Sequence, residues 1–294
     1  MSKSKMLRDV FHESRTNIML GQKGAGKSNT ASVIIKDLSD MGYEIWTNIH
    51  FFEYKEIGKA CNRGKLPKGV QYQRVPGNVH TFSTLSELLY GLLEPGPKAV
   101  FLDEGGIVAH TGTSKNTKTI KKLAYIIRHF DCALTLITQV ATSVPPHLRE
   151  ELVDYQLKIL KEGKHRLLII KEREVALDEF ENEYINFRER KTYGHIPKSV
   201  LPYDGDFPST LDFNIDLDKA LAELGKLKSS IEVEEKGKEI IDKLIEEKNK
   251  TKLTLKDQII ELLQSPKNFK YAEIADILGT SEGYVYNVAS KNKR

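Results

Sequence analysis

The chain has 294 residues, 39% of them apolar and 29% charged, with a formal net charge of +4. That is the balance of an ordinary soluble globular protein, with room for one large domain and a small one, and the charge is too mild to establish a nucleic-acid partner. No run reaches the ~18–20 apolar residues that cross a bilayer, which excludes a membrane-spanning helix and leaves the greasiest run, Cys132–Ile137, as a buried strand.

Met1–Arg8 is polar and basic with no apolar run after it, so no secretory leader is expected. Cys61 and Cys132 have no metal-ligand spacing and read as reduced thiols, placing the protein in the cytoplasm.

In chain order, Thr16–Leu20 is a short apolar strand that ends at a glycine-rich turn. Asn29–Ser39 has helical spacing, with Val33, Ile34 and Leu38 on one side. Gly42 stops that helix and Tyr43–Ile49 alternates as a strand. Gly58–Gly77, rich in Gly, Pro and Lys, reads as loop. Ser83–Leu93 is an amphipathic helix, broken by Pro95-Gly96-Pro97. Ala99–Leu102 is a second buried strand. His110–Thr119 reads as a mobile loop, Ile120–Phe130 as a helix, and Ala133–Thr138 and Leu167–Lys171 as further buried strands. Strands this apolar, alternating with helices, predict a mainly parallel α/β core.

Three segments are expected: an α/β domain over 1–209, a charged helical linker over 210–252, and a small helical domain over 253–294. Asp218–Lys252 is dense in Lys and Glu, with apolar spacing at Leu217, Leu221 and Leu224 and again at Ile240, Ile241, Leu244 and Ile245.

Gly21-Gln22-Lys23-Gly24-Ala25-Gly26-Lys27-Ser28 fits G-x-x-x-x-G-K-[ST] without a mismatch. A loop that wraps phosphates needs glycines for room and for unusual backbone angles. Successive backbone N–H groups and the positive end of the following helix then face the anion. Lys27 supplies a point charge to the β- and γ-phosphates and the Ser28 hydroxyl binds Mg²⁺. The expected cofactors are ATP and Mg²⁺, held by Gly21 through Ser28 together with Asn29. A second signal is Ala99–Leu102 followed by Asp103-Glu104. A buried strand presents its terminal carboxylate beyond its C-terminal edge. Asp103 is expected at Mg²⁺, and Glu104 as the base that orients or deprotonates the attacking water.

The strand Leu134–Thr138 is followed by Gln139, with Arg128 eleven residues before it and Arg149 after Pro145-Pro146. Composition and spacing leave each of these open between a site role and a surface charge. The run from Arg128 through Thr138-Gln139 resembles the FtsK/HerA branch of P-loop ATPases, in which a strand ends in Thr-Gln and an arginine lies on the preceding helix. Within the branch, Trp46-Thr47-Asn48-Ile49, Asp103-Glu104-Gly105-Gly106 and Pro145–Glu150 are similar to Zot-like proteins, the assembly ATPases of filamentous phages. The likeness covers roughly half the chain. Zot-like proteins have a membrane-spanning segment after the ATPase domain and no such segment occurs here, so archaeal virus and plasmid ATPases of the branch, packaging enzymes included, are the better match. The resemblance implies a RecA-like domain, Gln139 as γ-phosphate sensor, and Arg128, in preference to Arg149, as an arginine finger reaching a neighbouring subunit's ATP. It also implies a homo-oligomeric ring, commonly a hexamer, with DNA in its central pore.

Tyr271–Ser290 reads as a helix–turn–helix, preceded by a helix over Leu255–Leu263. Ile274, Ala275, Leu278, Val285 and Val288 are placed inward, Gly279 at the turn, and Thr280 or Ser281 as the cap of the second helix. The outer side then shows Ser281, Glu282, Tyr284, Asn287 and Lys291, with Lys293 and Arg294 available to phosphates. The alternative is a small protein-binding domain, to which Glu282 points. The expected function is an ATP-hydrolysing DNA translocase or packaging motor of a virus or plasmid-like element. The alternatives are an ATP-switched DNA-binding regulator or partition protein, or a Zot-like virion assembly ATPase.

Overall fold

The computed structural model describes residues 3–12, 14–103, 114–139, 151–162, 165–177, 183–205, 211–227, 230–252, 255–264 and 269–292. The described strands are β1 (Thr16–Leu20), β2 (Glu44–Thr47), β3 (Val79–Thr81), β4 (Lys98–Leu102), β5 (Cys132–Thr138), β6 (Tyr155–Glu162), β7 (His165–Leu177) and β8 (Glu183–His195). They form one sheet in the order β3-β2-β4-β5-β1-β6-β7-β8. β3 through β6 run parallel in that order, and β6-β7-β8 continue as an antiparallel ribbon. The parallel sheet expected from the buried runs is therefore present, with an antiparallel extension on one side. β5 lies between β1 and β4, with Leu20 beside Thr138 and Leu102 beside Leu136. This order brings the C-terminal ends of β1, β4 and β5 to one edge, where the loops after them meet.

The helices of the large unit are α1 (Lys3–Val10), α2 (Lys27–Asp40), α3 (Ile57–Asn62), α4 (Leu85–Leu93), α5 (Ser114–His129), α6 (Leu217–Leu224) and the first part of α7 (Ser230–Lys252). β1 and β4 are buried along their whole length, as central strands covered on both faces must be. Burying side chains such as Ile18 and Met19 stabilises the fold by about 1.5–3 kcal/mol each. Two buried polar residues at the start of β1 are anchored by one bond each. Asn17 donates to the Val10 carbonyl at 3.1 Å and so fixes the end of α1, while the Thr16 N–H reaches Asp154 at 2.8 Å. Burial pushes the thiol of Cys132 well above its ordinary pKa, and both cysteines are free.

Three sequence expectations change. The stretch 58–77 is not all loop, because α3 begins at Ile57 and buries Ala60. The helix before β5 starts at Ser114, so residues 114–119 are helical rather than loop. The five-residue strand expected at Leu167–Lys171 belongs to a 13-residue one.

α4 begins with a reciprocal cap. The Glu87 N–H donates to the Thr84 hydroxyl at 3.2 Å, and the Glu87 carboxylate accepts from the Ser83 and Thr84 N–H groups at 2.7 and 3.1 Å. Burial raises the pKa of Glu87, but these bonds together outweigh it and leave the group below its ordinary value. Gly91 in α4 faces the indole of Trp46, which is stacked on His80 at 4.5 Å. A Cβ on Gly91 would lie 2.0 Å from the ring. Gly91→Ala is therefore expected to destabilise the large unit by about 1–3 kcal/mol, the range for overpacking a close-packed contact. Trp46 is the sole tryptophan, so its fluorescence on heating reads the effect directly. An unchanged midpoint would mean that the ring yields freely.

The chain divides into two compact units, Met1–Ile241 and Asp242–Arg294. In the first, α6 buries Leu217, Ala220 and Leu224, and Asp218 pairs with Lys122 of α5. The second contains the end of α7, then α8 (Leu255–Gln264), α9 (Tyr271–Leu278) and α10 (Glu282–Asn292). Ile259, Ile274, Ala275, Val285 and Val288 form its core, with Leu278 packed against it. α9 ends at Gly279 with φ 62°, a left-handed turn, and the Tyr284 N–H reaches the Ser281 hydroxyl at 3.3 Å. Among the described residues no helix is long and apolar enough to cross a membrane.

Candidate functional site

Gly21–Gly26 leaves β1 at the C-terminal edge of the sheet and enters α2 at Lys27. The turn needs glycine at two points: Gly24 has φ 78° and Gly26 φ 93°, angles that L side chains adopt only with strain. The Ala25 N–H closes the turn on the Gln22 carbonyl at 3.0 Å, and the Thr30 N–H and hydroxyl both reach the Gly26 carbonyl at 2.9 Å. Gly21 sits where a Cβ would meet Ala25, Lys27 and Ile159 at 3.3–3.4 Å. The Lys27 ammonium folds back over the loop, donating to the Gly21 carbonyl at 2.9 Å.

The second motif meets the first. The Ser28 hydroxyl donates to the Asp103 carboxylate at 3.3 Å across 75 residues of sequence. Asp103 is held from behind by Asn48. Its backbone N–H donates to the Asn48 side-chain oxygen at 2.7 Å, and the Asn48 amide returns a bond to the Asp103 carbonyl at 3.2 Å. β2 carries Asn48 to this point because it pairs directly with β4. A hydroxyl and a carboxylate at a helix N-terminus fit Mg²⁺, which takes hard oxygen ligands and keeps waters and phosphate oxygens for its remaining positions. Among the described residues no group of three or more His, Cys, Asp or Glu could hold a metal ion.

The other expected site residues are placed as follows. Gln139 is exposed at the end of β5. Because Thr138 is in register with Leu20, Gln139 lies on the same edge as Gly21. Asn29 is turned away from the loop's mouth: its amide donates to the Pro197 carbonyl at 2.9 Å and accepts from the Ser199 N–H at 3.0 Å, fastening that segment to α2. Arg128 is in the last turn of α5, before β5 begins. The Ser14 hydroxyl reaches its carbonyl at 3.3 Å, which puts it at the opposite edge of the sheet from its own phosphate loop. The seven residues of β5 separate the two edges by ~20 Å. Glu104, Gly105, Gly106, Arg149, Lys293 and Arg294 lie outside the described residues.

Two neighbours of the loop went unread in the sequence. Asn48 stands in the sequence only as part of Trp46–Ile49, and its bonds to a backbone 55 residues away leave no local signal. Arg166 of β7 packs on Gly26 so closely that a Cβ there would lie 2.2 Å from its Nε, a buried nitrogen with no hydrogen-bond partner among the described residues. Its sequence context, an arginine in an alternating strand, gives no signal of that position.

No protein-family model and no curated protein matches the chain. Among solved structures it is similar to the N-terminal domain of zonular occludens toxin from Neisseria meningitidis, at 15% identity and TM-score 0.32 over 60% of this chain and 93% of that one. A second solved structure, an isolated ATPase domain, is matched at 13% identity and TM-score 0.36, over 61% of this chain and 86% of that one. A DnaB-like replicative helicase, solved to show its interactions with primase, is matched at 13% identity and TM-score 0.37 over 60% of this chain, which spans only 55% of the helicase chain. At such TM-scores the likenesses carry no weight of their own. The phosphate loop, the strand order and the meeting of Ser28 with Asp103 make this edge of the sheet a candidate nucleoside-triphosphate site.

Proposed function

We propose that the chain binds Mg-ATP at Gly21–Ser28 and hydrolyses it to drive movement of DNA, as a translocase or packaging motor of a virus or plasmid-like element. The observation that carries the nucleotide part is the 3.3 Å contact between the Ser28 hydroxyl and the Asp103 carboxylate, which sets two hard oxygen ligands side by side at the end of the phosphate loop. Magnesium would be held by Ser28 and Asp103 and would neutralise charge on the β- and γ-phosphates. The loop amides and Lys27 hold and orient the phosphates, and Glu104 and Gln139 are assigned to the attacking water and the γ-phosphate. Catalysis is then positioning and charge stabilisation without a covalent intermediate.

The placement of Arg128 at the far edge from its own loop supports its use in trans, in a ring. The capped three-helix unit supports a helix–turn–helix role for α9 and α10, with DNA as partner. ATP turnover with and without duplex DNA, alongside a mass measurement, tests this reading. The expected result is a ring, commonly a hexamer, whose turnover duplex DNA stimulates several-fold. Arg128→Ala should cut turnover by ~10³-fold or more while keeping ATP binding, as loss of a finger does. Normal hydrolysis by Arg128→Ala would remove the finger assignment, and turnover indifferent to DNA would remove the motor.

A further inference from the structure

The charge of this chain is not spread evenly. Residues 50–75 contain six cations, Lys55, Lys59, Arg63, Lys65, Lys68 and Arg74, against the carboxylates Glu53 and Glu56. That excess equals the +4 of the whole chain, so all the other residues together sum to zero. All six cations are exposed. Lys55 pairs with Glu53, and Lys65 pairs with the buried carboxylate of Asp204. Lys59, Arg63, Lys68 and Arg74 make no ion pair among the described residues. A protein that keeps unpaired cations together forgoes local neutralisation and builds a positive field.

The same segment presents aromatic rings. Tyr54 is 65% exposed, one of the most exposed large side chains described. It forms a wall of two clefts, one of about 520 Å³ shared with Phe51, Phe52, Arg74 and the Glu53–Lys55 pair, the other of about 640 Å³ shared with Ile57, Gln71 and Tyr72. Phe52 lies beneath the Lys65 ammonium at 5.8 Å. The surface is also held in shape. The Phe52 N–H reaches the Pro202 carbonyl at 2.7 Å, the Asp204 N–H the His50 carbonyl at 2.8 Å, and the Gln73 N–H the Val200 carbonyl at 2.9 Å. Ala60 and Leu66 are buried beneath it.

We infer that residues 50–75 form a binding surface for single-stranded nucleic acid, with bases stacked on Tyr54 in the two clefts and the strand's phosphates on Lys59, Arg63, Lys68 and Arg74. Two features select this occupant. Unpaired cations gathered in one segment match a polyanion, and an exposed ring between two clefts matches flat faces that only an unpaired strand offers. A duplex hides its base faces, and an acidic peptide has no use for the ring. The surface belongs to the large unit, not to the C-terminal three helices, and is read without nucleotide, so its failure and the failure of ATP hydrolysis are distinct results.

The test uses the full chain, labelled dT20 and two readouts. By anisotropy, Tyr54→Ala should weaken dT20 binding roughly 5- to 150-fold, the range for losing one stacked base, while Tyr54→Phe binds as the wild type does. The double variant Lys59→Glu/Arg63→Glu should weaken binding further and flatten the log–log salt slope by about 1.4, at roughly 0.7 per phosphate contact on a single strand. In Tyr54→Trp, dT20 should quench the added emission, a signal that a second site elsewhere cannot produce. The inference is overturned if dT20 leaves that emission unchanged, or if Tyr54→Ala costs no affinity. It is equally overturned if a duplex of the same length or polyglutamate gives the same quench at comparable concentration.

Discussion

Lys27→Ala is expected to lower ATP turnover by about 10²–10³-fold, the usual cost of removing one donor aimed at developing charge in a dry site. In the fold the ammonium rests on the Gly21 carbonyl at 2.9 Å and on that of Gln22 at 3.5 Å. These carbonyls are acceptors that phosphate oxygens can replace, a hydrogen bond from a charged group being worth about 1.5–3 kcal/mol net. The substitution should therefore lower the thermal midpoint by several degrees at most, leaving a folded protein, while removing catalysis. Lys27→Arg should not rescue it, because a planar guanidinium does not replace a compact point charge beside a loop this tight. Turnover of Lys27→Ala within twofold of the wild type would show that the phosphates are held elsewhere.

Asn48→Ala should make the protein hungry for magnesium. Asn48 bonds both the N–H and the carbonyl of Asp103, fixing the direction of a carboxylate that Ser28 already touches. Removing the amide leaves a partly buried N–H unsatisfied, at about 1–3 kcal/mol. A group that orients a metal ligand typically accounts for 10–100-fold in metal affinity. The magnesium concentration giving half-maximal turnover should rise by about that factor, while ATP binding measured in the presence of a chelator stays as in the wild type. A loss of stability with no change in magnesium dependence would make Asn48 a structural residue alone.

What the sequence made legible follows from how each element earns its stability. β1, β4 and β5 are buried on both faces and so appear as largely apolar runs, and the loop after β1 is fixed by the glycines its backbone angles demand. β6 did carry a signal: Tyr155, Leu157 and Ile159 alternate as buried residues with Gln156 and Lys158 between them, but Leu160 and Lys161 break the period. β8 had almost none, since its Arg, Glu and Lys residues suit an exposed ribbon held by pairing to β7 rather than by burial. β3, three residues long and paired with β2 at the sheet's edge, is too short to show a period. The start of α5 was missed because Ser114–Thr119 has a polar composition, which describes exposure and not conformation.

The site divides in the same way. Lys27, Ser28 and Asp103 could be singled out in the sequence because the proposed chemistry requires particular residues next to particular backbone. The clamp by Asn48 and the packing of Arg166 on Gly26 depend on which strands become neighbours, and no local pattern encodes that. Arg128 shows the limit from the other side: its type and spacing left a site role and a surface charge open, the resemblance pointed it at a neighbouring subunit's ATP, and the direction of β5 sets it at the edge opposite its own loop.

The central claim is that the loop after β1 binds a metal-bound triphosphate. The most direct measurement is the thermal midpoint of the intact protein titrated with ATP in the presence and absence of magnesium. Binding to the folded state alone predicts a saturable rise, corresponding to about 2.7 kcal/mol at a ligand concentration a hundredfold above Kd, larger with magnesium than without it and absent in Lys27→Ala. A midpoint that stays constant across the titration, in protein shown to be folded, would contradict the account.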